Sequence, residues 1–237
     1  MTSRLLRRSG VAVIKVAELL EWRPDAVFQV GVGVHYEEVR VMQEAWPEVR
    51  FHGCEAHPDL VVGLKREYPG ELHGFAISDE EHAREGDVTL YNRRRHKDGS
   101  SLFPPRIVKL GEDEIHVVPV TTLDRLFDLT QPEVRDDRVL LWLDCEGSEL
   151  AALRGGERFI ESVDFVNVEM TSHPVGVGCC GVLETHCWLA AHGFKRQTAH
   201  TNRTGGGQCD AVYVRERLWR PEYCSDPISF IPKEKYL

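Results

Sequence analysis

The chain has 237 residues, of which 42% are hydrophobic and 28% charged, and its formal net charge is −9. That is ample for one α/β domain with a sizeable core. An acidic balance argues against nucleic acid as a partner, because phosphate neutralisation needs a basic face, and equally against an anionic membrane surface. The seven cysteines, at 54, 145, 179, 180, 187, 209 and 224, form no regular framework, so reduced thiols and a cytoplasmic location are expected.

In chain order, Arg4, Arg7 and Arg8 precede an apolar run from Val11 to Leu20, but Lys15, Glu18 and Glu21 interrupt it. The pattern predicts an amphipathic helix rather than a signal peptide. No stretch is long and apolar enough to span a bilayer.

Ala26 to Val32 reads as an apolar strand broken by Gly31 and Gly33 and followed by a helix through Val39, Met42 and Trp46. Glycines at such a turn let backbone approach a ligand, and the next helix offers unpaired N–H groups. A second strand, Val49 to Cys54, ends in Glu55, about two dozen residues past Gly31, where an acid can accept from both ribose hydroxyls. A dinucleotide fingerprint would place a third glycine at Tyr36. Its absence disfavours a nicotinamide cofactor, and S-adenosylmethionine, which has no pyrophosphate, fits better.

A third strand is expected near 72–78. The segment from about Glu80 to Val118 interrupts the alternation and is expected to form a loop or hairpin over the site. It carries Arg93-Arg94-Arg95-His96-Lys97, either a solvated charge run or, through Arg95, a contact to an anionic or sugar-like acceptor.

Val139 to Leu143 is a short apolar run without polar alternation, the habit of a strand covered on both faces. It delivers Asp144, Glu146 and, after Gly147 and Ser148, Glu149 to the carboxyl end of the sheet, where ligands bind. Ser148 is positioned to cap a helix carrying Leu150 and Leu153; Asp144 or Glu146 could instead serve only as that cap. Further strands are expected near 164–170, 193–200 and 208–215, the last two as a closing antiparallel hairpin around Gly205-Gly206-Gly207. Gly176-Val177-Gly178-Cys179-Cys180-Gly181 matches a dinucleotide glycine pattern literally but lacks the acid about twenty residues on, and reads as a flexible loop near the site. His173, Cys179, Cys180, His186, Cys187 and His192 crowd one region, yet their spacings match no zinc pattern with paired short intervals. The expected architecture is α/β, a Rossmann-like, seven-stranded, mostly parallel sheet with helices on both faces. One domain spans residues 1–237, with an N-terminal helix (1–25), a core (26–216) and a tail (217–237).

The order Val30-Gly31-Val32-Gly33, Cys54-Glu55-Ala56-His57-Pro58, Phe75-Ala76-Ile77-Ser78-Asp79, Asp98-Gly99-Ser100-Ser101-Leu102, Val120-Thr121-Thr122-Leu123-Asp124, Leu143 to Leu150 and Val168-Glu169 resembles the FkbM-type S-adenosylmethionine-dependent methyltransferases over roughly residues 26–216. The resemblance implies a class I methyltransferase fold and transfer of methyl to an oxygen of a small molecule or sugar-like acceptor. It places Gly31 and Gly33 beside the amino acid end of the cofactor, Glu55 on the ribose, Ala76, Ile77 and Ser78 near the adenine, and Asp144 near the reacting centre. It also brings the loop of Ser100 and Ser101 to the site. Gln29 stands where such enzymes commonly have an acid, so its contact to the cofactor's ammonium would lack charge assistance. His35 replaces part of the usual small-polar turn, as a contact at the cofactor mouth or as an exposed helix-start residue.

For the chemistry, Asp144 or Glu146 is the first candidate for general base, His173 the second, and Glu169 holds the acceptor or supports the base. Asp144, Glu146 and Glu169 would also suit a magnesium or calcium ion, an arrangement the reaction does not require. Two other readings use the same first turn: a nicotinamide-dependent oxidoreductase, and a binding protein that keeps the fold without turnover.

Overall fold

The computed structural model describes residues 3–93, 96–105, 113–134, 138–171, 176–201 and 208–224. The elements run α1 (Ser3–Leu19), β1 (Ala26–Val30), α2 (Glu37–Ala45), β2 (Arg50–Cys54), α3 (Pro58–Leu64), β3 (Glu71–His73), β4 (Ala76–Ile77) and α4 (Glu80–Ala83). They continue through β5 (Asp87–Arg93), β6 (His96–Ser101), β7 (Asp113–Thr121), α5 (Leu123–Val134), β8 (Val139–Leu143) and α6 (Glu149–Arg154). Next come β9 (Val163–Thr171), α7 (Val182–Ala191), β10 (Phe194–Thr201) and β11 (Gln208–Arg215).

Seven strands form the main sheet in the order β10-β11-β9-β8-β1-β2-β3. β1 pairs in parallel with β2 on one side and β8 on the other. β11 pairs antiparallel with both β9 and β10, so it alone runs against the other six. This is the class I methyltransferase arrangement. From β1 the chain proceeds outward to β2 and β3, and β8 later resumes on β1's other side. The carboxyl ends of β1 and β8 therefore flank a topological switch point, where a crevice must open.

All residues of β1 and β8 are buried, as expected of strands covered on both faces. Period-two alternation divides them between two cores. Phe28, Leu141, Leu143 and Val166 pack with Leu126, Leu153, Phe159 and Leu189 on one face. Val27, Leu140, Trp142 and Phe165 pack with Val13, Ala17, Val39 and Met42 from α1 and α2 on the other. Leu141 is fully buried in this packing, and truncation to alanine would cost about 2–5 kcal/mol. Trp22 stacks on Phe165 at 4.0 Å and donates to Asp164 Oδ2 at 3.0 Å, tying the end of the α1 layer to the sheet.

Two segments differ from expectation. The single strand expected at 72–78 is split: β3 extends the main sheet, and after Gly74 and Phe75 the chain changes sheets so that β4 pairs with β7. The segment after it is more regular than a loop. β5, β6 and β7 join β4 in a second sheet, ordered β4-β7-β5-β6. Its alternation is hard to read because β7 keeps Ile115 and Val117 exposed, at 64% and 74%, while Val118 and Val120 are buried. Apolar residues on both faces hide a period of two.

Candidate active site

The crevice at the switch point is a cleft lined by the turn after β1, the end of β2, β4 and the loop after β8. Its floor is the turn after β1. Gly31 and Gly33 take φ of 82° and 66°, left-handed values that favour glycine. At Gly31 the requirement is also one of space, because a Cβ there would lie 1.8 Å from the Asp144 carbonyl oxygen. The neighbouring β8 loop is drawn in by the Asp144 N–H, which donates to Val30 O at 3.0 Å.

Glu55, at the end of β2, is buried and lines the cleft. Its Oε2 accepts from the Gly33 N–H at 2.9 Å and its Oε1 from the His57 N–H at 2.7 Å. These bonds fix the carboxylate between the turn after β1 and the loop after β2. Burial pushes its carboxyl upward, opposed by hydrogen bonds from the His57, Gly33, Val32 and Ala56 backbone.

The site also holds an acid that sequence reasoning missed. Glu38, in the first turn of α2, is 2% exposed and lines the cleft. Its Oε1 accepts from the Gln29 side-chain amide, while its Oε2 is buried with no hydrogen-bond partner among the described residues. Burial pushes the carboxyl up to about 7, with the Gln29 hydrogen bond opposing and Asp210 and Glu37 adding to the rise. Gln29 itself lies beneath the cleft, its Oε1 accepting from the Tyr68 hydroxyl at 3.2 Å. The only signal available in the sequence was the acidic pair Glu37-Glu38 with Glu38 on the same helical face as Val41 and Met42, three and four residues on.

Beyond β8 the chain reverses through Glu146 (φ 52°) and Gly147 (φ 99°). Ser148 makes no cap bond. Instead Glu149 folds back, its Oε1 accepting from the N–H groups of Cys145 and Gly147 at 3.1 Å each. Asp144 and Glu146 thereby face the cleft, and Glu169 approaches from β9. Each of the three offers a carboxylate oxygen within 4.8 Å of the others, a spacing that would also accept a hard divalent cation. Burial holds the Asp144 carboxyl well above the usual range, with the charges of Glu146, Asp210, Glu38 and Glu149 adding to the effect. Glu169 is raised in the same way, by burial and then by Asp144 and Glu146. Such a cluster retains protons that isolated carboxylates would have lost.

Of the other residues singled out in the sequence, Ala76, Ile77 and Ser100 line the cleft. Ser78 is buried beside it, its N–H donating to Thr121 O at 3.0 Å. Ser101 sits behind the wall, where its hydroxyl donates to the Glu146 carbonyl at 2.8 Å and so ties the second sheet to the β8 loop. His35 is exposed, outside the residues that form the walls. Arg95 and His173 fall outside the described residues. In the loop expected near the site, Cys180 N–H donates to Gly147 O at 3.3 Å, which brings that loop to the rim.

The FkbM methyltransferase domain matches residues 28–196. No curated protein matches the chain. Among solved structures, a DUF574 family protein from Streptomyces avermitilis is 12% identical with a TM-score of 0.50, over 89% of this chain and 82% of that one. The plantazolicin methyltransferase BpumL, in complex with a pentazolic desmethylPZN analogue and SAH, is 7% identical with a TM-score of 0.48, over 91% and 86%. A SAM-dependent methyltransferase from Aquifex aeolicus is 10% identical with a TM-score of 0.41, over 85% and 87%. At 12% identity and a TM-score of 0.50, the likeness to the DUF574 family protein is one of fold. The family match spans well over half of the sequence, and on that ground the chain belongs to the FkbM methyltransferase domain family.

Proposed function

We propose that this methyltransferase uses S-adenosylmethionine to methylate a hydroxyl of a small-molecule or sugar-like acceptor. The observation that carries the reading is the separation of two acids around one cleft. Glu55 holds a carboxylate at the cleft wall within reach of a ribose diol, and Glu38 presents a buried oxygen without a hydrogen-bond partner among the described residues, suited to an ammonium. An unsatisfied buried carboxylate oxygen calls for a cation, and the amino acid end of S-adenosylmethionine supplies one. Ala76 and Ile77 then offer an apolar wall for the adenine. The residues present fit the group.

A nicotinamide dinucleotide fits less well. It would set an anionic pyrophosphate at the start of α2, where Glu37 and Glu38 already place two acids in the first turn.

When bound, the cofactor supplies an electrophilic methyl on a positively charged sulfur. The chain's own residues then do three things. The cleft aligns the acceptor oxygen with that methyl, the contribution expected to supply most of the acceleration. Asp144 or Glu146 takes the hydroxyl proton as the new O–C bond forms and the S–C bond breaks. The raised proton affinity of Asp144 suits a general base better than an ordinary carboxylate would. Glu169, within 4.8 Å of both, relays or shares that proton and orients the acceptor. His173 is the second candidate for base and Arg95 a candidate for acceptor contact; Ser100 lines the same cleft, which supports an acceptor contact there.

The test is a screen with methyl-labelled cofactor against paired acceptors that differ only in whether the hydroxyl is free or blocked. Transfer confined to free hydroxyls supports the reading. Equal labelling of blocked acceptors would move the reaction to nitrogen, sulfur or carbon.

A further inference from the structure

Away from the cofactor cleft, three side chains from two parts of the fold converge on one point. Glu114 and His116 are alternate residues of β7, so period two puts both on the same face of the second sheet. His57, from the loop between β2 and α3, packs against that face, its ring centroid 4.8 Å from that of His116. Each of the three offers one ligand atom, an imidazole nitrogen or a carboxylate oxygen, within 4.8 Å of the others. Glu114 Oε2 and His116 Nε2 are 3.9 Å apart.

We propose that His57, Glu114 and His116 form a binding site for a borderline divalent transition metal, zinc in the first instance. Two imidazoles and a carboxylate are a zinc donor set, and a Glu-x-His pair on one strand is a short ligand interval of the kind such sites use. Around a tetrahedral zinc, ligand atoms stand roughly 3.3 Å apart. Glu114 and His116, with side chains 37% and 24% exposed, have room to close the difference and leave an entry path for the ion and a solvent ligand.

The surroundings show the second layer that metal-binding histidines normally have. His57 is fully buried, and its Nε2 lies 2.8 Å from the side-chain amide of Asn92, itself 1% exposed. Asn92 pairs directly across the strands with Glu114, so a single register positions both the ligand and the group that orients the histidine. Such partners fix the ring orientation and tautomer. Asn92 Nδ2 is the atom that faces His57 Nε2; ligation through Nδ1 requires the Asn92 amide to turn over so that its Oδ1 accepts from Nε2–H.

The site would join two parts of the fold. It ties β7 to the backbone of His57, whose N–H donates to Glu55 Oε1 at 2.7 Å, so an occupied site would steady the residue proposed to hold the cofactor ribose. The inference itself is independent of that proposed function.

A second set, His52, Glu71 and His73 on β2 and β3, has the same composition and serves as the internal control.

The experiment is zinc titration of the full chain, stripped by chelator and dialysed, against a chromophoric competitor. Cobalt substitution serves as a spectroscopic check on coordination. Wild type is expected to bind one high-affinity equivalent. His116→Gln and Glu114→Gln should weaken it by about tenfold or more while His73→Gln leaves it intact. These side chains are partly exposed, so folding of each variant can be verified by circular dichroism, whereas a change at the buried His57 would confound the two effects. Absence of zinc uptake by wild type, wild-type affinity in His116→Gln, or equal loss in His73→Gln would each overturn the proposal.

Discussion

Gln29 on β1 donates its side-chain amide to the carboxylate of Glu38 on α2, nine residues later. A neutral residue on β1 thus meets an acid that a neighbouring helix brings to it. The Tyr68 hydroxyl holds the far side of the Gln29 amide at 3.2 Å, which fixes the direction of its donor. The pair leaves Glu38 Oε2 buried and without a hydrogen-bond partner among the described residues.

If Glu38 receives the cofactor ammonium, Glu38→Gln should weaken S-adenosylmethionine binding by about ten- to a hundredfold, the worth of one charge-assisted hydrogen bond. Only the ionised carboxylate can make that pair. Affinity in wild type should therefore fall as pH drops below about 7, by up to tenfold per pH unit, and Glu38→Gln should lose this dependence. Calorimetric titration across pH reads both effects.

Stability of the cofactor-free protein should respond in the opposite direction. The Glu38 carboxyl titrates at about 7 in the fold against an ordinary value of 4.5. Between those values the folded chain keeps a proton that the unfolded chain has released, so stability falls as pH rises through the window. Glu38→Gln should flatten this part of the profile, by at most about 3 kcal/mol across the window, in urea unfolding at a series of pH values.

Gly31→Ala should fail for two reasons at one position. It forces a side chain onto φ 82° and sets its Cβ 1.8 Å from the Asp144 carbonyl. A cost of about 3 kcal/mol or more is expected, read as a lower urea midpoint with unchanged slope.

Asp144→Asn should separate binding from chemistry. With the base role at Asp144, kcat should drop by about 10² to 10⁴ while cofactor affinity stays near wild type. If Glu146 is the base, the same loss should appear in Glu146→Gln instead.

Much of this arrangement is legible in the sequence, for a physical reason. β1 and β8 are buried on both faces, so their apolar runs carry no competing signal, and Gly31 and Asp144 follow them directly. Glu38 is not legible in the same way, because its inward direction depends on where the helix begins, and Tyr36, with φ 29°, gives no side-chain cap to mark that point. Ser148 fits a capping pattern, but Glu149 takes the loop N–H groups instead, a competition between adjacent residues that spacing does not decide. The second sheet escaped because Ile115 and Val117 are exposed apolar residues, which blur the alternation of β7.

The most direct test of the central claim is titration of the purified protein with S-adenosylmethionine and S-adenosylhomocysteine, beside NAD and NADP, in wild type and Glu55→Ala. The account predicts that the adenosyl compounds bind wild type and bind Glu55→Ala more weakly, with no binding of either dinucleotide. Dinucleotide binding without affinity for the adenosyl compounds, or equal affinity in the two proteins, would contradict it.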